Sequence, residues 1–164
     1  MNSDARVYAA CVGRVYEDLA RRLVEGATRV FMDAGGSVDV HEVPGAFELP
    51  LAAKYCAESG RYRGVACLGA VIRGETSHYD YVCSEAARGT LLASLETRVP
   101  IGFGVLTCDT EEQALDRAGL PGSHEDKGYE ASAAALHTAS VLKRIHRGDP
   151  AGEGRSRTTS GFSR

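Results

Sequence analysis

The sequence predicts an α/β fold in which helices cover both faces of one parallel sheet. Short apolar runs that suit buried strands alternate along the chain with amphipathic stretches that suit helices. This strand–helix order is typical of parallel sheets, because the crossover between two parallel strands is usually a helix. The 164 residues fit one domain with a single core, and the sequence contains no internal repeat.

The first half of the chain predicts two strands and two helices. Residues 7–12, VYAACV, are a short apolar run that suits a buried strand. From residue 16 onward apolar side chains recur at helical spacing, and the glycine pair at 35–36 ends that helix. The valines of residues 38–43 suggest a second strand, and residues 47–57 predict a second helix after a Pro-Gly turn.

The second half predicts two further strands and three helices. The strands are two apolar runs, VACLGA at residues 65–70 and PIGFGVLT at residues 100–107. Between them, residues 79–95 carry the apolar spacing of a long helix. A short helix is predicted over 111–118, and a loop rich in Gly and Pro then leads to a final helix over 127–146.

Composition narrows the class of protein. The formal net charge of −3 argues against a nucleic-acid binder that depends on basic charge. No apolar run approaches the length of a membrane span, and the first residues lack the order of a signal peptide, so we expect a cytoplasmic protein without a membrane partner. The five cysteines are odd in number and form no CxxC pair, so we expect no metal site.

The end of the chain differs in composition from the rest. Residues 148–164 are rich in Gly, Ser, Thr and Arg and offer little apolar surface to bury. We therefore expect a domain over residues 1–147 and a disordered tail over residues 148–164.

Ligands of open parallel sheets bind beyond the carboxyl ends of the strands, which directs attention to four loops. The richest is the third, where small hydroxyl residues after Gly74 begin a helix and form either a phosphate cradle or an ordinary helix cap. His78 ends this loop and suits proton transfer near neutral pH, although a lone histidine is more often a packed one. The four loops are residues 13–16, 44–48, 71–78 and 107–110.

Other polar residues of these loops suit a small phosphorylated substrate. Glu48 follows a tight turn and could accept hydrogen bonds from a polyol, or it could simply favour a helix start. Arg117 and Lys127 could bind phosphate, although solvent exposure is the usual fate of such residues. Together these signals indicate an enzyme that acts on a small phosphorylated molecule.

Four blocks of sequence then stand in order along the chain. They are VPGAFELP at 43–50, LGAVIRGETSHYDYV at 68–82, a block from 104–107 through 112–114, and a block joining 116–119 with 127–128. With these blocks the chain resembles the lumazine synthase family over about residues 7–145. The resemblance implies a flavodoxin-like, three-layer α/β/α subunit with a four-stranded parallel sheet.

The resemblance also implies the reaction and its site. The family condenses 5-amino-6-(D-ribitylamino)uracil with 3,4-dihydroxy-2-butanone 4-phosphate to 6,7-dimethyl-8-ribityllumazine in riboflavin biosynthesis, and needs no metal or organic cofactor. By resemblance His78, Arg117 and Lys127 are catalytic, and Glu130 lies close to Arg117. The positions that match the ketone-phosphate site are Glu75, Thr76 and Arg117. The positions that match the pyrimidine and ribityl site are Val15, Tyr16, Ala46, Phe47, Glu48, Ala70, Val71, Ile72 and Phe103.

One position departs from the family pattern. Val15 stands where family members usually carry an aromatic residue that stacks on the pyrimidine, and Tyr16 could take this place if the turn is shifted by one residue. Val15 motivates one alternative, a diverged paralogue that condenses a related amine and ketone phosphate in specialised metabolism. A second alternative, of a different class, is a non-catalytic protein that binds lumazine or flavin. The set of His78, Arg117 and Lys127 argues against mere binding, which needs no proton-transfer group.

The resemblance bears on assembly too. The segment between Arg117 and Lys127, AGLPGSHED, is similar to that of pentameric members, and little chain precedes the first strand. We therefore expect a homopentamer with active sites at subunit interfaces, rather than an icosahedral shell.

Overall fold

The computed structural model describes residues 6–150 and contains the predicted parallel sheet. Its four strands stand in the order β2-β1-β3-β4, and every neighbouring pair is parallel. All carboxyl ends therefore meet at one edge of the sheet. The strands are β1 (Arg6–Gly13), β2 (Gly36–Val43), β3 (Val65–Ile72) and β4 (Ile101–Cys108).

Helices cover both faces of this sheet, which confirms the flavodoxin-like three-layer architecture. Alternate strand residues pack against α1 and α5 on one face and against α2 and α3 on the other. The helices are α1 (Glu17–Asp33), α2 (Leu49–Glu58), α3 (His78–Thr97), α4 (Glu111–Leu115) and α5 (Lys127–Arg147), with a 3-10 turn at Ala46–Glu48. None of the helices of residues 6–150 is long and apolar enough to cross a membrane.

Two helix boundaries differ from the predicted ones because local hydrogen bonds compete with the helix. The second helix was predicted from residue 47, but Phe47 lies in the 3-10 turn, where Glu48 accepts a hydrogen bond from the Gly45 N–H. The fourth was predicted to reach residue 118, but α4 ends at Leu115 and Ala118 bridges Asp126 instead. The part of the predicted tail from residue 151 onward lies outside the described residues.

The contact between α1 and α5 depends on Gly128. A Cβ at this position would lie 2.1 Å from the backbone oxygen of Leu23 on α1. Gly128→Ala is therefore expected to lower the free energy of unfolding by about 1–3 kcal/mol, since one helix must shift. Denaturant unfolding checks this, with Gly74→Ala as control because a Cβ there meets no atom within 4 Å. Equal stability of the two variants would contradict the tight contact.

Candidate active site

A cavity of about 590 Å³ opens beyond the carboxyl ends of β1 and β3. It is the larger of the two cavities that contain predicted site residues, and we call it the larger cavity. The first three of the predicted loops all contribute to its wall. Its lining residues are Val15, Tyr16, Pro44, Gly45, Ala46, Phe47, Glu48, Ala70, Val71, Ile72, Gly74, Thr76, His78, Tyr79, Tyr81 and Val82. The pyrimidine and ribityl positions inferred from the resemblance thus lie together, apart from Phe103.

The second loop is brought to the cavity by a close backbone approach. A Cβ at Gly13, the last residue of β1, would lie 2.9 Å from the carbonyl carbon of Gly45. The Gly45 N–H in turn donates to one oxygen of the Glu48 carboxylate at 3.0 Å. Because that bond orients Glu48 on the cavity wall, the other oxygen of its carboxylate is available to accept from a ligand hydroxyl.

The third loop leaves the first turn of α3 open to an anion. Ser77 is the N-cap residue, yet its side chain makes no capping hydrogen bond. The His78 N–H has only a long bond of 3.4 Å to the Thr76 hydroxyl. Amides at a helix start favour negative charge, so a phosphate would find donors here. This geometry favours the phosphate cradle over an ordinary helix cap.

His78 is the first residue of α3, is exposed and lines the same cavity as Thr76. A group bound at the helix start would therefore lie beside a side chain that can transfer protons. Glu75 is also exposed in this loop but does not line the cavity.

The first loop places both candidates for the stacking position on the cavity wall. Val15 is 66% exposed, whereas Tyr16 is partly buried as the N-cap residue of α1. Tyr79 and Tyr81 also line the cavity, and sequence reasoning missed both. Both tyrosines could have been predicted, because they follow His78 closely and lie in the first turn of the same helix. The cavity is therefore rich in aromatic side chains even though Val15 is not one.

A second cavity, of about 420 Å³, lies along the outer strand β4 and the start of α5. It contains Phe103, Arg117, Lys127 and Glu130, but not His78. The Lys127 ammonium lies 2.6 Å from the Glu125 carboxylate and 2.7 Å from that of Glu130. The adjacent carboxylates of Glu125 and Glu130 raise the pKa of Lys127, so its ammonium stays charged at neutral pH.

The loop before α5 holds the two cations of this cavity beside each other. The Lys127 N–H donates to the backbone oxygen of Arg117 at 2.9 Å. The loop is closed again by His124, whose Nδ1 lies 2.8 Å from the Asp116 carboxylate. This hydrogen bond raises the pKa of His124 and lowers the pKa of Asp116. Arg117 donates to the backbone oxygen of Gln113 at 2.8 Å, which leaves most of its fork for a ligand.

Within residues 6–150, the structure therefore divides the predicted site between two cavities. One holds the proton-transfer candidate and most ribityl and pyrimidine positions, and the other holds Phe103 and the two cations. The backbone amides that would bind the phosphate and the cationic side chains that would bind the same substrate therefore line different cavities of a single chain.

Comparison with known proteins identifies the family. The profile of the 6,7-dimethyl-8-ribityllumazine synthase family matches residues 6–143. A 6,7-dimethyl-8-ribityllumazine synthase of Streptomyces avermitilis is 50% identical over 143 residues, covering 87% of this chain and 88% of the relative. Enzymes of the same name from Pseudarthrobacter chlorophenolicus and Deinococcus radiodurans are 57% and 54% identical, covering 74% and 77% of this chain and 74% and 82% of the relatives. The chain belongs to the 6,7-dimethyl-8-ribityllumazine synthase family.

Proposed function

We propose that this chain is a lumazine synthase. It condenses 5-amino-6-(D-ribitylamino)uracil with 3,4-dihydroxy-2-butanone 4-phosphate to 6,7-dimethyl-8-ribityllumazine and releases phosphate and water. The observation that carries the proposal is the larger cavity of a chain that belongs to this family. One wall of this cavity contains Glu48, which can accept hydrogen bonds from a polyol, together with His78 and the first turn of α3, which can bind an anion.

The geometry supports a role for each part of that wall. The pyrimidine lies against the end of β3 at residues 70–72, and its ribityl chain donates to Glu48. The ketone phosphate lies with its phosphate at the Thr76 loop, assisted by Glu75. An amine of the pyrimidine attacks the ketone and loses water to give a Schiff base, and elimination of phosphate then leaves an enol that tautomerises to a ketone. The second amine adds to this new carbonyl and loses water, which closes the ring. Each step moves protons, which suits His78.

We infer that the subunits form a homopentamer with active sites at the interfaces. The cavity along β4 of one subunit would then bring Phe103, Arg117 and Lys127 to the larger cavity of its neighbour. Exposed apolar side chains on the outer helices support such contacts, because single chains rarely expose so many together. They include Leu51 and Tyr55 of α2 and Leu91 and Leu95 of α3.

The free cysteines, four of them buried, fit a cytoplasmic location, where thiols stay reduced.

The test of the reaction is to incubate the protein with both substrates and follow the absorbance and fluorescence of the lumazine product. Product should form much faster with the protein than in a protein-free mixture of both substrates, and should not form when either substrate is left out. Failure to form lumazine while both substrates remain intact would contradict the proposed reaction.

Val15→Phe is expected to strengthen binding of the pyrimidine. A ring at this exposed position can stack on the substrate, which is worth roughly 0.5–1.5 kcal/mol, or about two- to tenfold in KM. Steady-state kinetics with each substrate varied in turn measures the change, and the KM of the ketone phosphate serves as internal control. An unchanged KM for the pyrimidine would show that stacking at position 15 plays no part, and would favour Tyr16 in that role.

A further inference from the structure

Arg73 joins the loop of His78 to the end of β4 through both its backbone and its side chain. Its N–H donates to the backbone oxygen of Cys108 at 2.9 Å. Its Nε donates to the Asp109 carboxylate at 2.8 Å, and a terminal nitrogen reaches Asp80 of α3 at 3.3 Å. The guanidinium also lies over the ring of Tyr79, 4.2 Å from its centre. One side chain therefore connects the residue that follows β4 with the first turn of α3.

The contacts continue from Asp109 to the second cavity. The Asp109 N–H donates to the side-chain oxygen of Gln113 at 2.8 Å. Gln113 closes the capping box of α4 with Thr110, and its backbone oxygen accepts from Arg117 at 2.8 Å. A continuous path of bonded groups thus runs from the helix start that carries His78 to the side chain of Arg117.

The segment between Arg73 and His78 has few contacts of its own. Among the described residues, its hydrogen bonds are limited to the long bond from the His78 N–H to Thr76 and a turn from the Asp80 N–H to the Ser77 oxygen at 3.0 Å. A single exposed ion pair contributes little to stability. The planar guanidinium of Arg73, however, contacts Asp109, Asp80 and the ring of Tyr79 at the same time, and a flexible lysine ammonium lacks this fixed geometry.

We propose that Arg73 is a positioning residue, which holds the phosphate-binding loop of His78 in register with the segment that carries Arg117. This inference rests on the proposed function for its kinetic consequence. In the proposed oligomer the phosphate lies between the loop of one subunit and Arg117 of the next. Because Arg73 fixes both elements within each chain, its loss loosens both halves of every phosphate site, whereas the pyrimidine wall at residues 70–72 stays within β3.

Arg73→Gln tests this kinetically. The KM of the ketone phosphate should rise about tenfold, and the KM of the pyrimidine should change less than about twofold. Arg73→Lys keeps the charge but not the fork, so it should resemble Arg73→Gln. The matched control is Arg61→Gln, because Arg61 likewise pairs with a carboxylate, Asp39 at 2.7 Å, and lies over a tyrosine ring, yet lines neither cavity.

Hydrogen–deuterium exchange gives a reading that does not depend on turnover. In Arg73→Gln, amides of residues 74–80 and 109–113 should exchange faster than in the wild type, and in Arg61→Gln they should not. Wild-type exchange in Arg73→Gln, full recovery by Arg73→Lys, or an equal rise of both KM values would overturn the proposal. An inactive wild type would instead contradict the proposed reaction, and the exchange result would still decide the role of Arg73.

Discussion

Replacing Arg117 with alanine is expected to lower kcat/KM for the ketone phosphate by roughly a hundred- to a thousandfold. Its guanidinium is well suited to bind a departing phosphate. Within residues 6–150 its side chain donates only one hydrogen bond, to the backbone oxygen of Gln113. We expect Arg117 to stabilise the negative charge of the phosphate more strongly as it leaves than in the bound substrate, so the substitution should lower kcat as well as raise KM. Steady-state kinetics with the ketone phosphate varied measures it.

Arg117→Lys provides the matched control for this loss. It keeps the positive charge but cannot hold phosphate through two parallel bonds, so it should recover only part of the activity. Both variants should unfold close to the wild-type temperature, because Arg117 is only partly buried and its side chain makes a single hydrogen bond, to the Gln113 backbone oxygen, within residues 6–150. Near wild-type kcat/KM in Arg117→Ala would remove Arg117 from the phosphate site.

Replacing His78 with alanine is expected to lower kcat by roughly ten- to a hundredfold and to leave measurable activity. Proton transfer contributes to each step, but much of the acceleration comes from holding two reactants in contact. His78 is an exposed helix-start residue, so folding should be unaffected. Single-turnover formation of lumazine measures the effect, with His137→Ala as control because His137 is exposed on α5 outside both cavities. A wild-type rate in His78→Ala would exclude His78 from the mechanism.

The layered fold was predictable because apolar periodicity alone distinguishes its strands from its helices. Each strand and each α-helix of residues 6–150 corresponds to a predicted element, although two of the helices have different ends. Helix ends were less predictable, since they depend on contacts distant in sequence. Residues 116–118 continue the helical pattern of α4, but Ala118 bridges Asp126, and Asp116 binds His124. No periodicity in the sequence reports such pairings.

The site was predictable loop by loop but not as a whole. Glu48, Thr76 and His78 follow strands whose carboxyl ends must share an edge, and one cavity contains them. The same rule placed Arg117 near them. It lies instead in the cavity of β4, because β4 is the outer strand of the sheet and α5 begins beside it. A rule about one sheet says nothing about what a neighbouring chain supplies.

Mixing subunits tests most directly whether two chains build each active site. Thr76→Trp obstructs the larger cavity at an exposed loop position, and Arg117→Ala removes the proposed phosphate donor of the second cavity. Each variant alone should be nearly inactive. After denaturation and refolding together in equal amounts, about one interface in four would pair two intact halves, so about a quarter of wild-type activity should return. Light scattering should show that the mixture has the mass of five chains. A mixture no more active than the mean of its two components, at that mass, would contradict an active site shared between subunits.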